Sequence, residues 1–203
     1  MWLGYFSALG FLAVLFIGLG LYLLITGITD LTSKSDYVEA EIDMAGGNLT
    51  VEHSINGLIP IGNEYYYIGV NSEEGSIYIV RATKKWLDQN FDADGKAIGG
   101  SYTLKAKKRK LDYKVEREYS DSFSDMDMTG FQLVTGTSSC LDTDYKTFAV
   151  KKLVCVFAFL LTLLCIFAGI KEQDENRKPV WGKVMVVSLL ISAALMIHVL
   201  SFL

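Results

Sequence analysis

The chain has 203 residues, a formal net charge of −4, 51% hydrophobic residues and a mean hydropathy of +0.29. A net negative charge argues against nucleic acid as a partner. The polar middle of the chain holds one cysteine, Cys140, which excludes a disulfide framework within it. The long apolar runs lie at the two ends, so the sequence predicts one ordinary domain, residues 30–150, between apolar segments.

The first apolar run, residues 2–28, contains no charged residue. A hydrocarbon core about 30 Å thick needs roughly 20 apolar helical residues to cross it, so residues 1–29 are predicted to form a transmembrane helix. The run lacks a basic start and is longer than a signal-peptide core, which favours a retained anchor. Small residues recur along it at steps of three and four and predict a helix-packing face: Gly10, Ala13, Gly20 and Gly27.

Residues 30–150 are predicted to form a β-rich domain with one or two short helices. Apolar and polar residues alternate from Val38 onward, as in half-buried strands, and several short strands follow up to Arg81. Turn residues at 46–48, 56–57 and 62–64 would divide these strands into a β-meander. Thr83 is a suitable N-cap for a helix over residues 84–91. A stripe of Leu111, Val115, Tyr119 and Phe123 predicts an amphipathic helix over 110–122. No strand is predicted in the polar segment 138–146.

Two further apolar segments follow this domain. Residues 151–170 and 180–203 are predicted to be the second and third transmembrane helices, joined by a short charged loop at 171–179. The second helix carries its own small residues, Ala158, Thr162, Cys165 and Gly169, and is expected to pack against the first. The predicted fold class is therefore an α+β membrane protein with three transmembrane helices and one β-rich juxtamembrane domain inserted between the first and the second.

The orientation is predicted from the third helix, which has basic residues before it and no Lys or Arg after it. Basic short loops stay in the cytoplasm, so we expect the β-rich domain to be extracytoplasmic, at the plasma membrane. The lone Cys140 and the basic run at 105–110 favour the opposite orientation.

One segment has the pattern of a calcium-binding loop. Asn90, Asp92 and Asp94 place oxygen ligands at alternate positions before Gly95, but the twelfth position is Ser101 and not the bidentate glutamate. A polar turn is the favoured interpretation. No metal-ligand cluster, phosphate-binding loop, dinucleotide motif or nucleophile–base pair occurs, so neither a cofactor nor an enzymatic activity is predicted.

Two surface hypotheses remain, each with a simpler structural alternative. A basic cluster could contact anionic lipid headgroups or form a solvated strand end: Lys105, Lys107, Lys108, Arg109 and Lys110. An aromatic group on the predicted sheet could form a binding face or line the core: Tyr65, Tyr67 and Tyr78.

The leading functional hypothesis is a non-enzymatic, membrane-anchored interaction or accessory protein whose β-rich domain docks a partner at the membrane surface. Its partners would be the lipid bilayer and another membrane or surface protein. The alternative is a small subunit of a transport or channel assembly that packs through glycine-rich helix faces. An enzyme with an unrecognised site is a remote third possibility.

Overall fold

A computed structural model describes the backbone of residues 2–55, 58–124, 128–171 and 179–200; the side chains of residues 2–16, 55, 165–171, 179–183, 185 and 200 are outside the description. The chain has mixed α+β content with one sheet. It folds into two compact units: an α+β domain, Lys34–Tyr145, and a helical unit, Met1–Ser33 with Lys146–Leu203. The predicted limits of the β-rich domain, residues 30–150, lie within a few residues of the limits of this α+β domain.

The α+β domain contains a seven-stranded sheet and two helices. Its elements in chain order are β1 (Tyr37–Ile42), β2 (Met44–Ile55), β3 (Ile59–Asn71), β4 (Ser76–Arg81), α2 (Lys84–Asn90), β5 (Tyr102–Lys110), α3 (Tyr113–Ser124), β6 (Gln132–Leu133) and β7 (Ser139–Asp142).

The sheet is not a simple meander. Strands β2, β3 and β4 pair in sequence order, but β1 pairs with β5, and β7 lies between β5 and β4. The strand order is β1-β5-β7-β4-β3-β2, with β6 paired to β4. The expected meander over residues 37–81 is therefore correct only for its last three strands. Strand β7 lies in the segment where no strand was expected, and all four of its residues are buried.

Two of the predicted turns are parts of strands. Residues 46–48 lie within β2 at a register shift between Gly46 and Leu49, where Gly47 has φ of 63°. A β-bulge accommodates the extra residue there without ending the strand. Residues 62–64 lie within β3. The third predicted turn, residues 56–57, is outside the described residues.

Apolar side chains cover both faces of the sheet. One face packs Tyr67, Val80, Leu104 and Leu141 with Phe91, which follows α2. Helix α2 begins after Thr83, whose hydroxyl accepts a hydrogen bond from Trp86 N at 3.2 Å, as the N-cap prediction requires. The other face packs against α3 through its expected stripe, Leu111, Val115, Tyr119 and Phe123.

The helical unit contains α1 (Trp2–Thr32), α4 (Tyr145–Lys171) and α5 (Pro179–Leu200), of which α4 begins at the last residue of the α+β domain. Within the part of the chain that the structure describes, one helical segment is long and apolar enough to cross a membrane. This segment is Tyr145–Leu164, with a mean hydropathy of 2.0. Ile17–Thr32 and Val186–Val199 are shorter apolar helices. Length and composition are the basis of this assignment.

Candidate functional site

One row of paired residues crosses five strands of the sheet. Tyr66 of β3 pairs with Arg81, Arg81 with Asp142 of β7, Asp142 with Lys107 of β5, and Lys107 with Tyr37 of β1. Paired residues of neighbouring strands project from the same face of a sheet. This row therefore brings charged side chains from distant parts of the chain together, on the face that α3 covers.

Asp142 is the centre of this charged group and is fully buried. Its Oδ2 accepts hydrogen bonds from Arg81 Nη1 at 2.8 Å and from Arg109 Nη1 at 3.1 Å. Its Oδ1 accepts from Asp144 N at 2.9 Å. One carboxylate thus ties β4, β5 and the end of β7 together.

Glu64 is the second carboxylate of the group. It pairs with Arg81 Nη2 through Oε1, and its Oε2 accepts a hydrogen bond from the Tyr66 hydroxyl at 2.7 Å. The Nε2 atom of His53 lies 3.6 Å from the same Oε2. We call Glu64, Arg81, Arg109 and Asp142 the ionic row.

The ionic row contains two guanidinium groups and two carboxylates, so its formal charge is balanced. Burial alone would lower the pKa of Arg81, but Asp142 and Glu64 outweigh that effect and raise it. Burial and the neighbouring Glu64 raise the pKa of Tyr66. A raised pKa keeps Arg81 charged and Tyr66 neutral near pH 7, which suits structural cross-linking of strands rather than proton transfer by these two side chains.

The thiol of Cys140 lies among these groups and is 1% exposed. Burial, reinforced by Asp142, raises the pKa of Cys140 to about 12. The thiolate is the nucleophilic form of cysteine, and at neutral pH this side chain remains a thiol. Cys140 therefore behaves as a small buried apolar residue.

The basic cluster of β5 does not present one continuous surface. Arg109 belongs to the ionic row. Lys107 is buried, and its Nζ lies 5.5 Å from the centroid of the Tyr145 ring. The Nζ atom of Lys105 lies 3.6 Å from Glu39 Oε1. Lys108 and Lys110 are exposed. Alternation along a strand separates neighbouring residues onto opposite faces, so headgroup contact by all five together is not compatible with the fold.

The aromatic residues proposed as a binding face are mostly core residues. Tyr67 and Tyr78 are buried in the cluster on the α2 side of the sheet, and Tyr65 packs against that cluster. The ring centroids of Tyr67 and Trp86 lie 6.2 Å apart. A partner cannot contact Tyr67 or Tyr78 without opening the domain, which corrects the hypothesis in favour of its core alternative.

The segment with the calcium-loop pattern forms a turn held by its own side chains. Asp92 Oδ1 accepts hydrogen bonds from Asp94 N at 3.0 Å and Lys96 N at 2.8 Å, while Asn90 Nδ2 donates to Trp86 O at 2.7 Å. Gly95 O accepts from Ala45 N at 2.8 Å, which fixes the turn against β2. Within the described residues no three His, Cys, Asp or Glu side chains are grouped so as to hold a metal ion.

In the helical unit, the first small-residue face packs on α4 at Gly27. A Cβ atom at Gly27 would lie 3.1 Å from Leu153 Cδ2 and 3.3 Å from Ala149 O, whereas one at Gly20 would lie 3.9 Å from Phe159 Cδ1. The absence of a side chain at Gly27 therefore allows the close approach of α1 and α4. The side chains of Ala13 and the surroundings of Gly10 are outside the description.

The second small-residue face contacts a different helix from the one expected. Thr162 Oγ1 lies 2.6 Å from Ser192 Oγ of α5 and donates to Ala158 O at 2.9 Å. Ser192 Oγ also lies 3.0 Å from Ala158 O, and because the two hydroxyls have one proton each, at most two of these three contacts are hydrogen bonds at one time. Ala158 and Thr162 thus join α4 to α5, not to α1. Cys165 and Gly169 lie outside the described side chains.

Which residues pair within the ionic row, and that Thr162 contacts Ser192, could not be predicted from local sequence patterns. Arg81 and Asp142 are 61 residues apart, and Thr162 and Ser192 are 30 apart. An arginine at the end of the buried strand β4 was the one available indication that a distant carboxylate would be needed. No family model, curated protein or solved structure matches the chain.

Proposed function

We propose that this chain is an integral membrane protein that uses three helices to hold the α+β domain at a membrane surface, where the domain serves as a non-enzymatic interaction module. The observation that carries the proposal is the arrangement of apolar side chains in the helical unit: they cover its outside as well as its interior. A soluble helical unit would expose polar residues instead.

All three helices expose large apolar side chains. Leu21 and Ile25 of α1 are 53% and 62% exposed, Phe157 and Leu164 of α4 are 68% and 66% exposed, and Leu190 of α5 is 63% exposed. Lipid tails are as apolar as these side chains, so exposure of such a surface to lipid carries no hydrophobic free-energy penalty. This argument extends to α1 and α5, whose described apolar lengths alone do not reach a full span.

The polar groups of the same helices satisfy one another or the backbone. Thr26 and Thr32 donate to the carbonyl oxygens of Tyr22 and Ile28, each at 2.8 Å. Lys152, 3% exposed, donates to Asp30 Oδ2 at 2.8 Å. Backbone and side-chain polar groups need such partners where water is absent, so these bonds also favour a bilayer location.

The interaction role is proposed because the potentially reactive side chains of the domain are engaged in holding its own structure together. The ionic row cross-links strands, Cys140 is a protonated thiol, and the Asp92 carboxylate in the residue 90–95 turn accepts hydrogen bonds from backbone amides. Among the described residues of the domain outside its β2–β3 hairpin, the most exposed large apolar side chains are Ile98 and Tyr113, at 62% and 74%. Exposed apolar and aromatic residues are suited to partner recognition.

The subunit alternative depends on glycine-rich faces that are free to pack against other proteins. Gly27 and Gly20 lie against Leu153 and Phe159 of this chain's own α4, and Thr162 lies against α5. These contacts favour the interaction role over assembly through the helices. We retain the plasma membrane and an extracytoplasmic domain as part of the proposal, on the basic residues before the third helix.

Photo-crosslinking of the full chain in its native membrane tests the proposal. A crosslinking residue replaces Tyr113 or Ile98 in the domain, and Leu160 or Ile25 in the helices. The interaction role predicts a discrete protein adduct from a domain position and lipid adducts from the helix positions. Discrete protein adducts from the helices alone would favour the subunit alternative, and no lipid adducts from the helices would contradict the three-helix membrane anchor.

Protease treatment of intact cells and of opened cells tests the orientation. An extracytoplasmic domain is cleaved in both preparations, whereas a cytoplasmic domain is cleaved only after opening.

A further inference from the structure

One asparagine of the domain stands in the three-residue pattern that oligosaccharide transferases recognise. Asn48 is followed by Leu49 and Thr50, which gives an asparagine, a residue other than proline, and a threonine. No other asparagine of the sequence has a serine or threonine two positions after it. Such a short pattern also arises by chance, so the position of Asn48 in the fold has to support it.

Asn48 lies at a β-bulge on an edge strand. Strand β2 is at one end of the strand order, and its pairing with β3 shifts register between Gly46 and Leu49. A bulge leaves its extra residue outside the ladder and bends the strand. Asn48 and Thr50 are both exposed, and a Cβ atom at Gly46 would meet nothing within 4 Å. The surroundings of Asn48 are therefore open to solvent.

The amide and the hydroxyl of the pattern lie side by side. Thr50 Oγ1 donates a hydrogen bond to Asn48 Oδ1 at 3.2 Å. The amide nitrogen, Nδ2, is the atom that receives the sugar in N-glycosylation, and here it donates to no group among the described residues. By contrast, Asn90 Nδ2 donates to Trp86 O, and Asn71 is buried. Asn48 thus presents both groups of the pattern together at the surface.

We propose that Asn48 is the acceptor of an N-linked oligosaccharide. The donor is an oligosaccharide joined to a polyprenol through a diphosphate, and a membrane-bound oligosaccharide transferase catalyses the reaction. Asn48 Nδ2 forms a bond to the anomeric carbon of the first sugar, while the bond from that carbon to the diphosphate oxygen breaks. The amide proton passes to a base of the transferase, and the polyprenyl diphosphate leaves. This inference rests on the proposed extracytoplasmic location of the domain, the side on which such acceptors are modified.

A glycan at Asn48 would shield the free edge of β2. The backbone groups of an edge strand can pair with a strand of another molecule, which is a route to aggregation. Among the described strands, β2 pairs with β3 alone. A bulge discourages such pairing, and a bulky, hydrophilic glycan on the same residues would add a second barrier. The acceptor therefore lies where a glycan would protect the fold.

Mass spectrometry of the full chain from its native membrane tests the modification. The purified protein is treated with the amidase that releases N-linked oligosaccharides and converts the acceptor asparagine to aspartate. We expect a faster-migrating band after treatment, with aspartate at position 48. The untreated sample should contain an oligosaccharide-bearing peptide at this position, and it measures spontaneous deamidation. Unmodified Asn48 throughout the untreated sample overturns the proposal.

Three variants test whether the pattern is responsible for the modification. Asn48→Gln removes the acceptor, whereas Thr50→Ala keeps the acceptor and removes the hydroxyl, so both should lose the mobility shift. Thr50→Ser keeps a hydroxyl and should retain the shift. Both positions are exposed, so the substitutions leave the core intact. A mobility shift that persists in Asn48→Gln or in Thr50→Ala contradicts the assignment.

A second acceptor separates failure at Asn48 from failure of the orientation. Ser120→Asn creates the same pattern with Asp121 and Ser122, at exposed positions of α3. If this variant gains a glycan while Asn48 stays unmodified, the proposal is overturned and the extracytoplasmic domain is supported. If neither position is modified, the proposal is overturned and protease cleavage decides the orientation. Cleavage only in opened cells then contradicts the extracytoplasmic domain as well, whereas cleavage in intact cells leaves it supported.

Discussion

Both units of this chain bury polar side chains that contact one another, but the residues that they expose differ in polarity. The α+β domain buries the charge-balanced ionic row beside apolar clusters and leaves polar residues outside. The helical unit buries Lys152, Thr162 and Ser192 and leaves Leu, Ile, Val and Phe outside. The interiors alone would not distinguish the two units, whereas their exposed surfaces do. The surroundings that each surface requires are the basis for our proposal that the helical unit lies in lipid.

The comparison also predicts where single substitutions should have large effects. In the domain, removal of one buried charge takes a partner away from charged groups that are wholly or partly shielded from water. In the helices, shape at a glycine contact should matter more than any one hydrogen bond, because hydrogen bonds between helices in lipid contribute modestly.

The largest effect is expected from Asp142→Asn. The substitution leaves Arg81 and Arg109 without their shared negative charge, and the side chain of Asp142 is 0% exposed. Breaking a buried pair costs about 3–5 kcal/mol, and we expect the lower end because Arg109 is 31% exposed. The measurement is the urea midpoint at which Cys140 becomes labelled by a thiol reagent, with mass spectrometry assigning the labelled peptide.

Asp94→Asn is the matched control because Asp94 is exposed in the residue 92–95 turn. It should leave the midpoint of Cys140 labelling nearly unchanged. Equal midpoints for the two variants would show that the ionic row does not stabilise the domain.

An intermediate effect is expected from Gly27→Leu. A side chain there meets Leu153 and the carbonyl of Ala149 at 3.1–3.3 Å, so α1 must move away from α4. Overpacking of this kind costs typically about 1–3 kcal/mol. Thermal unfolding of the purified chain in mild detergent measures the loss.

Gly18→Leu provides the control, since a Cβ at Gly18 meets nothing within 4 Å. Gly20, another residue of the predicted packing face, should be less sensitive than Gly27 because a Cβ atom there would lie at an ordinary 3.9 Å from its nearest neighbour. A greater loss from Gly18→Leu than from Gly27→Leu would contradict the α1–α4 contact.

Local patterns predicted the parts of the fold that local contacts determine. Thr83 caps α2 through a bond three residues away, and the stripe on α3 repeats every fourth residue. Strand pairing was predicted poorly because it depends on residues far apart. Nothing near Tyr37 indicates that β1 pairs with β5, and nothing in residues 138–146 indicates a central strand.

The candidate sites show the same division. The sequence predicted that Gly27 and Thr162 lie in a contact between the first and second helices; Gly27 lies against α4, whereas Thr162 lies against α5. The sequence did not show that Lys107 and Arg109 lie on a different face of β5 from Lys108, or that Tyr67 is buried. The face on which a strand residue lies depends on the register of the sheet.

The smallest effect is expected from the Thr162–Ser192 contact. A double-mutant cycle with Thr162→Val and Ser192→Ala removes the two hydroxyls singly and together, and thermal unfolding in lipid bicelles gives the coupling. Hydrogen bonds between helices in lipid average about 0.6 kcal/mol in such cycles. Because both hydroxyls also bond to Ala158 O, each single variant keeps one of these bonds, which limits the coupling further. A coupling well above about 0.6 kcal/mol would contradict this expectation and would mean that the hydroxyl pair contributes more to the α4–α5 contact than shape does.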